Sequence, residues 1–423
     1  MNETKKELES WPYLSQLSVN YFGWVFCWTI ATAYMVPNTL LKMVDDSVKN
    51  TRLGLMLGVS NVLVLILVPL VGTLSDRLRS SLGRRRPFYL PATLAVCACI
   101  LIIVRSRYYS VLFVLMFLMH GAEACWFPNR ALIRDIVPLQ RRGRISGLIN
   151  IMSTLGIMLG HAVSPQFIDS GRMMGLALIA VIPNVFSNAL VALRIREKAP
   201  AEMSTRNAFS WKEAYIPNLD GASSLGWLAA VNLFTQMGAV AMTCFLLYFI
   251  KDQIDAVRFN ATFRNVTLIG TGAAIFSSIG AGWVADRFGR KKVLFAACIL
   301  QIAAMVNFLM SPWVHFTLYL SGFLFGMGNA AYWSLYWTIL SDIVPEGETG
   351  KYIGLIQYTT IIPWAVVPAT LGTIVDNFGA ASGRGYRILF TVIVILLTIG
   401  MALIRSIPET LKNDAADPAA DAS

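Results

Sequence analysis

The sequence predicts an all-α membrane protein whose twelve transmembrane helices form two pseudosymmetric six-helix bundles, and three observations carry that expectation. Hydrophobic residues make up 56% of the 423-residue chain and charged residues only 14%, against roughly one quarter charged residues in soluble domains. Apolar stretches of the ~20 residues needed to cross hydrocarbon recur along the whole chain. The second half also repeats motifs of the first at a nearly constant offset.

Cutting at charged or Gly/Pro-rich breaks places the spans near 19-41, 53-74, 88-104, 109-129, 145-168 and 174-193. The second set falls near 225-250, 265-285, 293-310, 314-340, 352-375 and 386-404. The longest interior polar stretch, Arg194 to Ser224, separates six from six. The expected division is an N-terminal bundle over 1-197, a cytoplasmic linker over 198-223, and a C-terminal bundle with a short tail over 224-423. Met1 to Leu14 is polar and mixed in charge, so the first helix is expected to stay rather than be cleaved.

Of the 35 Lys and Arg, 24 fall on the side of the termini and 11 on the other. By the positive-inside rule both termini are expected in the cytoplasm, the membrane being a plasma or bacterial inner membrane. The same distribution accounts for the formal charge of +11 without a nucleic-acid partner. All six cysteines lie inside apolar stretches, which argues against a disulfide framework or a thiolate metal site.

The repeat needs no other sequence to be seen. RALIRDIVPLQRRGRISGLI from Arg130 matches WTILSDIVPEGETGKYIGLI from Trp337 at an offset of 207 residues, with Trp126 and Trp333 in the same register. GTLSDRLRSSLGRRRPF from Gly72 matches GAGWVADRFGRKK from Gly280, aligning Asp76 and Arg77 with Asp286 and Arg287 at an offset of 210. Two unrelated motifs with nearly one offset imply duplication of a six-helix unit, and repeats of this parallel kind place a solute site near the bilayer midplane between the halves.

The second pair of motifs resembles the G-x-x-x-D-R-x-G-R-R/K loop of the major facilitator superfamily, found between the second and third helices of each half. The resemblance covers essentially the whole chain. The first copy carries four extra residues before Gly83, and its SDR-x5-GRRRPF form is similar to the sucrose/proton symporters and the wider glycoside-pentoside-hexuronide symporters. Pro128-Asn129-Arg130-Ala131-Leu132 with Asp135 and Pro138 is similar to the P-x-R-A-L-x-x-D of that group. The resemblance implies secondary active transport of a sugar or glycoside by proton-coupled symport with alternating access. It also implies a gating role for Gly72, Asp76, Arg77, Gly83, Arg84, Arg85 and Asp135, and for Gly282, Asp286, Arg287, Gly289, Arg290 and Asp342. Physically, Gly72 and Gly282 permit close helix approach, and the aspartates can pair with neighbouring arginines. The alternative for the basic runs is topology and contact with anionic lipid.

Glu123 lies about 12 residues into the fourth span, so at ~1.5 Å per residue it sits roughly 18 Å deep. A carboxylate there is costly when charged, which suits a proton carrier. His120, three residues earlier, and Arg130, two turns on, are its candidate counter-charges, and the alternative is a purely structural pair. In the repeat register these three match Met327, Ala330 and Trp337, so coupling is expected in the first half alone. Plant sucrose symporters carry their acidic residue about a turn earlier, near Met119, where this chain departs from them. Melibiose-type sodium symporters use acidic residues on the second helix, and Leu53 to Leu74 has none, so protons are expected rather than sodium.

For the solute, sugar rings expose C–H faces that pack on aromatics and hydroxyls that need amide partners. The tenth span supplies Asn329, Tyr332, Trp333 and Tyr336, with Trp337 beyond; the first supplies Trp24 and Trp28, following Tyr21. Asn232 and Gln236 share a face of the seventh span, and Asn129, His161 and Gln357 complete the expected lining. Helix cross-linking is the alternative for the amides, a packing pair with Asn150 for Gln357, and simple packing for His161. Asn260-Ala261-Thr262 is a glycosylation sequon, of a kind that also arises by chance.

The expected partners are a small-molecule solute, a proton and membrane lipid, with no cofactor or metal and a monomer sufficing. A drug/proton antiporter is the first rival, although His161 stands where its G-x-x-x-G-P pattern has proline after Gly156 and Gly160. A transport-inactive sensor or scaffold is the second. No nucleophile and base set appears, so an enzyme is not expected.

Overall fold

The computed structural model describes residues 11–78, 80, 83–195, 223–343, 349–407 and 409. The expected linker and tail lie almost wholly outside them. The described residues form twelve helical rods. The first, α1, runs through 11–40 in segments: an α-helix over Val19–Thr29, a π-helical turn over Ile30–Met35 and a further α-turn over Val36–Leu40. Then come α2 Lys49–Arg77, α3 Arg86–Ile103, α4 Tyr109–Trp126, α5 Leu139–Asp169 and α6 Met173–Arg194. The second set is α7 Ser223–Gln253, α8 Phe259–Phe288, α9 Arg290–Met310, α10 His315–Ile343, α11 Thr349–Asn377 and α12 Arg384–Leu403.

Ten of these are long and apolar enough to cross a membrane. The two that fall short do so for local reasons. The π-turn divides α1 into pieces, and α10 dilutes its apolar residues with Asn329 and its Tyr and Trp side chains. The twelve spans read from hydropathy all coincide with these rods.

The rods form two compact units. One comprises Met1–Ile216, Cys244–Leu268 and Trp364–Tyr386, so α1 to α6 pack with the end of α7, the start of α8, the end of α11 and the first residues of α12. The other comprises Pro217–Thr243, Ile269–Pro363 and Arg387–Ser423.

Lipid tails are as apolar as leucine, so close packing at small residues, rather than burial from water, holds membrane helices together. In the first unit α1 lies against α5 and α6 in this way: a Cβ at Gly156 would sit 2.9 Å from the Phe22 carbonyl oxygen. In the second unit α9 and α10 share a core of Leu294, Ala297, Cys298, Tyr332, Leu335, Tyr336 and Ile339. Gly72 and Gly282 behave otherwise than expected. A Cβ at either would meet nothing within 4 Å, so no close approach is made there. Asn260 is 3% exposed and is tied to Asn38 and Asp169, so its sequon is a packing feature with no room for a glycan.

Candidate functional site

The first-half candidates are arranged around an aromatic stack between α1 and α4. Asn20, Trp24 and Trp28 recur every four residues and so share one face of α1. Trp24 stacks on Trp28 at 5.8 Å and on Trp126 at 4.5 Å between ring centres, and Tyr21 meets Trp126 edge-on at 5.3 Å. Trp126 is held by donating from its indole N–H to Asn188 Oδ1 at 3.2 Å. Asn20 Nδ2 donates to Asn129 Oδ1 at 3.0 Å. That single bond leaves Asn20 Oδ1, Asn129 Nδ2 and the Tyr21 hydroxyl buried with no hydrogen-bond partner. Buried polar atoms are nearly always paired, so these three groups are open to a further partner.

Glu123 is half-buried one helical turn from both His120 and Trp126. Neither candidate counter-charge pairs with it. Beyond Trp126 the chain tightens into a 3₁₀ turn over Phe127–Ala131, which breaks the register that would put residues seven apart on one face. Arg130 is exposed instead, its guanidinium 4.5 Å from the centre of the Phe127 ring. His120 turns its Nδ1–H to the Met116 carbonyl at 2.9 Å, and its ring meets Trp28 edge-on. His161 lies apart from this group, its Nδ1 3.0 Å from the Tyr34 hydroxyl and its ring against Tyr34 and Phe263.

The second-half candidates group around Asn232. Its Oδ1 accepts from the Tyr332 hydroxyl at 3.2 Å, and its Nδ2 donates to Thr359 and Thr360 at 2.8 and 3.3 Å. Tyr332 stacks on Tyr336 at 5.8 Å, and Trp333 stacks on Trp337 at 6.2 Å. Gln236 Nε2 and Asn329 Oδ1 are buried without partners, as are both amide atoms of Gln301 on α9. Gln357 lies on α11 half a turn before Thr359 and is half-buried.

The gating candidates form ion-pair knots, one in each unit. Arg85 sits between Asp76 at 2.7 Å, Asp135 at 3.1 Å and the Ser75 hydroxyl at 2.5 Å, with Arg84 also on Asp135 at 3.2 Å. In the second unit Arg290 pairs with Asp342. Gly83 and Gly289 have φ of 99° and 98°, a left-handed backbone that side chains resist. Asp286 and Arg287 are exposed, and no described residue pairs with Asp286. Arg77 ends α2.

Sequence reasoning did not single out Asn20, Trp126 and Gln301 as candidates. For Trp126 the signal was present, because it occupies the repeat position of Trp333. Asn20 was marked by being an amide on the Trp24 and Trp28 face.

Comparisons with known proteins agree with this architecture. Residues 25–405 match the family described as MFS/sugar transport protein. The MFS-type transporter ppzB of Metarhizium rileyi is 24% identical over 44% of this chain, a stretch spanning only 40% of that relative's length. The class H tetracycline resistance protein of Pasteurella multocida is 22% identical over 79% of this chain and 82% of its own. Among solved structures, a D-xylose-proton symporter superposes with a TM-score of 0.74 at 15% identity, covering 95% of this chain and 99% of that one. A bacterial homolog of the human lysosomal transporter Spinster, in an inward-facing conformation, gives 0.71 at 15% identity over 94% and 97%. The chain belongs to the MFS/sugar transport protein family of the major facilitator superfamily and is an integral, multi-pass membrane transporter.

Proposed function

We propose that the protein is a secondary active transporter that carries a sugar or glycoside together with a proton by alternating access. The observation that carries this reading is that Glu123, with no ion-pair partner among the described residues, lies on α4 one turn before Trp126, which stacks on Trp24 of α1. A stacked indole face suits the C–H face of a pyranose. The open Asn20, Asn129 and Tyr21 atoms are the groups that hydroxyls would satisfy; in the second half Gln236, Asn329 and Tyr336 hold open polar atoms of the same kind, Trp333 adds an aromatic face, and Asn232 and Tyr332 hold each other in place. A carboxylate without a fixed counter-ion is free to exchange its proton, which a permanent ion pair would prevent. The sugar-transport family match and the likeness to a xylose-proton symporter support the reading.

Efflux of lipophilic drugs by proton antiport is the second reading, favoured by the tetracycline resistance relative aligned over most of both chains. Uptake into proteoliposomes with and without a pH gradient separates the two, using disaccharides, monosaccharides and lipophilic cations. Under the symport reading, sugar accumulates only with an inward proton gradient. Glu123→Gln should reduce accumulation to the gradient-free level while sparing sugar exchange. Unchanged accumulation would make the carboxylate structural, and transport of cations alone would favour efflux.

A further inference from the structure

The start of α2 is held by side chains from the far end of the sequence. Lys49, its first residue, is 2% exposed, and its ammonium lies 2.6 Å from Asp252 and 3.2 Å from Asp46. The ammonium is also 6.0 Å from the centre of the Tyr248 ring. Lys251 reaches Asp46 at 3.0 Å, and Asp252 accepts the Tyr386 hydroxyl at 2.8 Å. One residue along, Asn50 donates to Asp376 Oδ1 at 2.8 Å, and the Thr51 backbone N–H donates to Asp376 Oδ2 at 2.7 Å.

The free N–H groups in the first turn of a helix are usually met by a Ser, Thr, Asp or Asn just before it. Here that residue is Val48, which offers none. Asp376, 325 residues away from Thr51 in sequence, takes its place. The backbones meet closely enough for the exchange because a Cβ at Gly372 would sit 2.3 Å from the Asn50 carbonyl.

Two features make this junction all-or-none. A buried ammonium is tolerated only while paired, and a helix start without its cap exposes unpaired donors. Drawing the ends of α7 and α11 away from α2 removes Asp252 and Asp376 together and leaves the Lys49 ammonium only the exposed Asp46. We propose that this cluster is a latch, with Lys49 as its internal cation and Asp376 as a cap supplied from the second half of the sequence. It closes the side of the protein that carries the α1–α2 loop, and it must open for solute to pass there. The proposal rests on the alternating-access reading for its purpose, but its test does not.

Nitroxide labels on exposed Tyr108→Cys and Val257→Cys, in the full chain with Cys125→Ser and Cys244→Ser, would report the opening as a distance distribution in lipid nanodiscs. The parent should show chiefly one short separation. Asp376→Ala should raise the ratio of long to short separations about tenfold, a change of the size expected for a lost charged hydrogen bond. The paired neutral variant Lys49→Met with Asp252→Asn, which leaves no lone buried charge, should do the same. Unmoved distances in both would overturn the latch. Without any substitution at the junction, hydrogen exchange at the Thr51 amide gives a second answer: strong protection is expected, and exchange at the free-peptide rate would equally overturn it. A chain that moves no solute yet opens on substitution would sink the symport reading and keep the latch. Full uptake with unmoved distances would sink the latch alone.

Discussion

The knot around Arg85 and its counterpart around Arg290 began as copies of one motif and now do different work. Both keep the arginine after glycine on the aspartate of the D-I-V-P turn, Arg84 on Asp135 and Arg290 on Asp342. The next residue has diverged. Arg85 is buried and ties Asp135 to Asp76 and Ser75, fastening the end of α2 and the start of α3 to the helical turn Leu132–Ile136 that follows α4. Lys291 instead donates to the carbonyls of Arg405 and Ile407 beyond α12, at 2.7 and 2.8 Å. The carboxylate of Glu409 caps the start of α9 through the amides of Arg290 and Lys291. The planar guanidinium can serve three acceptors at once, whereas an ammonium is a point charge suited to converging carbonyls. The first-half loop is thus a fastener between helices, and the second-half loop is a clasp on the segment that follows α12.

The largest expected difference comes from Arg85→Met against Lys291→Met. Leaving Asp76 without its partner and Asp135 to Arg84 alone should cost about 2–3 kcal/mol, while the half-buried Lys291 should cost about 1 kcal/mol. Thermal unfolding in detergent micelles would measure both, and equal losses would break the comparison. Gly83→Ala and Gly289→Ala should each cost about 1–2 kcal/mol, because both halves keep the same left-handed backbone. A large difference between them in the same melts would mean the loops are not conformational equivalents. The smallest effect sharpens the contrast further. Asp76→Asn should lower stability by about 1–2 kcal/mol through loss of a charged hydrogen bond, and Asp286→Asn, exposed and without a partner among the described residues, should stay within about 0.5 kcal/mol.

Much of the fold was legible because hydropathy and the internal repeat both report on local sequence. Twelve spans follow from apolar length, and the Arg84–Asp135 and Arg290–Asp342 pairs lie in motifs that the repeat makes visible. The aromatic candidates were legible for the same reason, since Trp24 and Trp28, or Tyr332 and Tyr336, are one turn apart on single helices. What failed was inference across a change of helix type. The pairing of Glu123 with Arg130 assumed an unbroken α-helix, and the 3₁₀ turn at Phe127–Ala131 removed that premise. Contacts between distant segments left no trace at all. Lys49 and Lys251 read as topology charges because their partnership joins residues 203 and 205 positions apart, a separation no periodicity reports. Likewise His161, expected among the lining, is claimed by Tyr34 from another helix.

The π-turn over Ile30–Met35 gives α1 a built-in phase change. A π-helical turn holds one residue more than an α-turn needs, and such turns cluster at functional sites. Before the turn, α1 presents Asn20, Trp24 and Trp28 to the Trp126 side; within it Tyr34 faces His161, and after it Asn38 faces Asn260. With a single uniform pitch, one rod could not keep both appointments. Deleting one residue from this turn would rotate one end against the other by about 100°, so the Trp stack and the Tyr34–His161 contact would become alternatives. The extra residue therefore acts as a splice, letting one helix belong to two neighbourhoods at once.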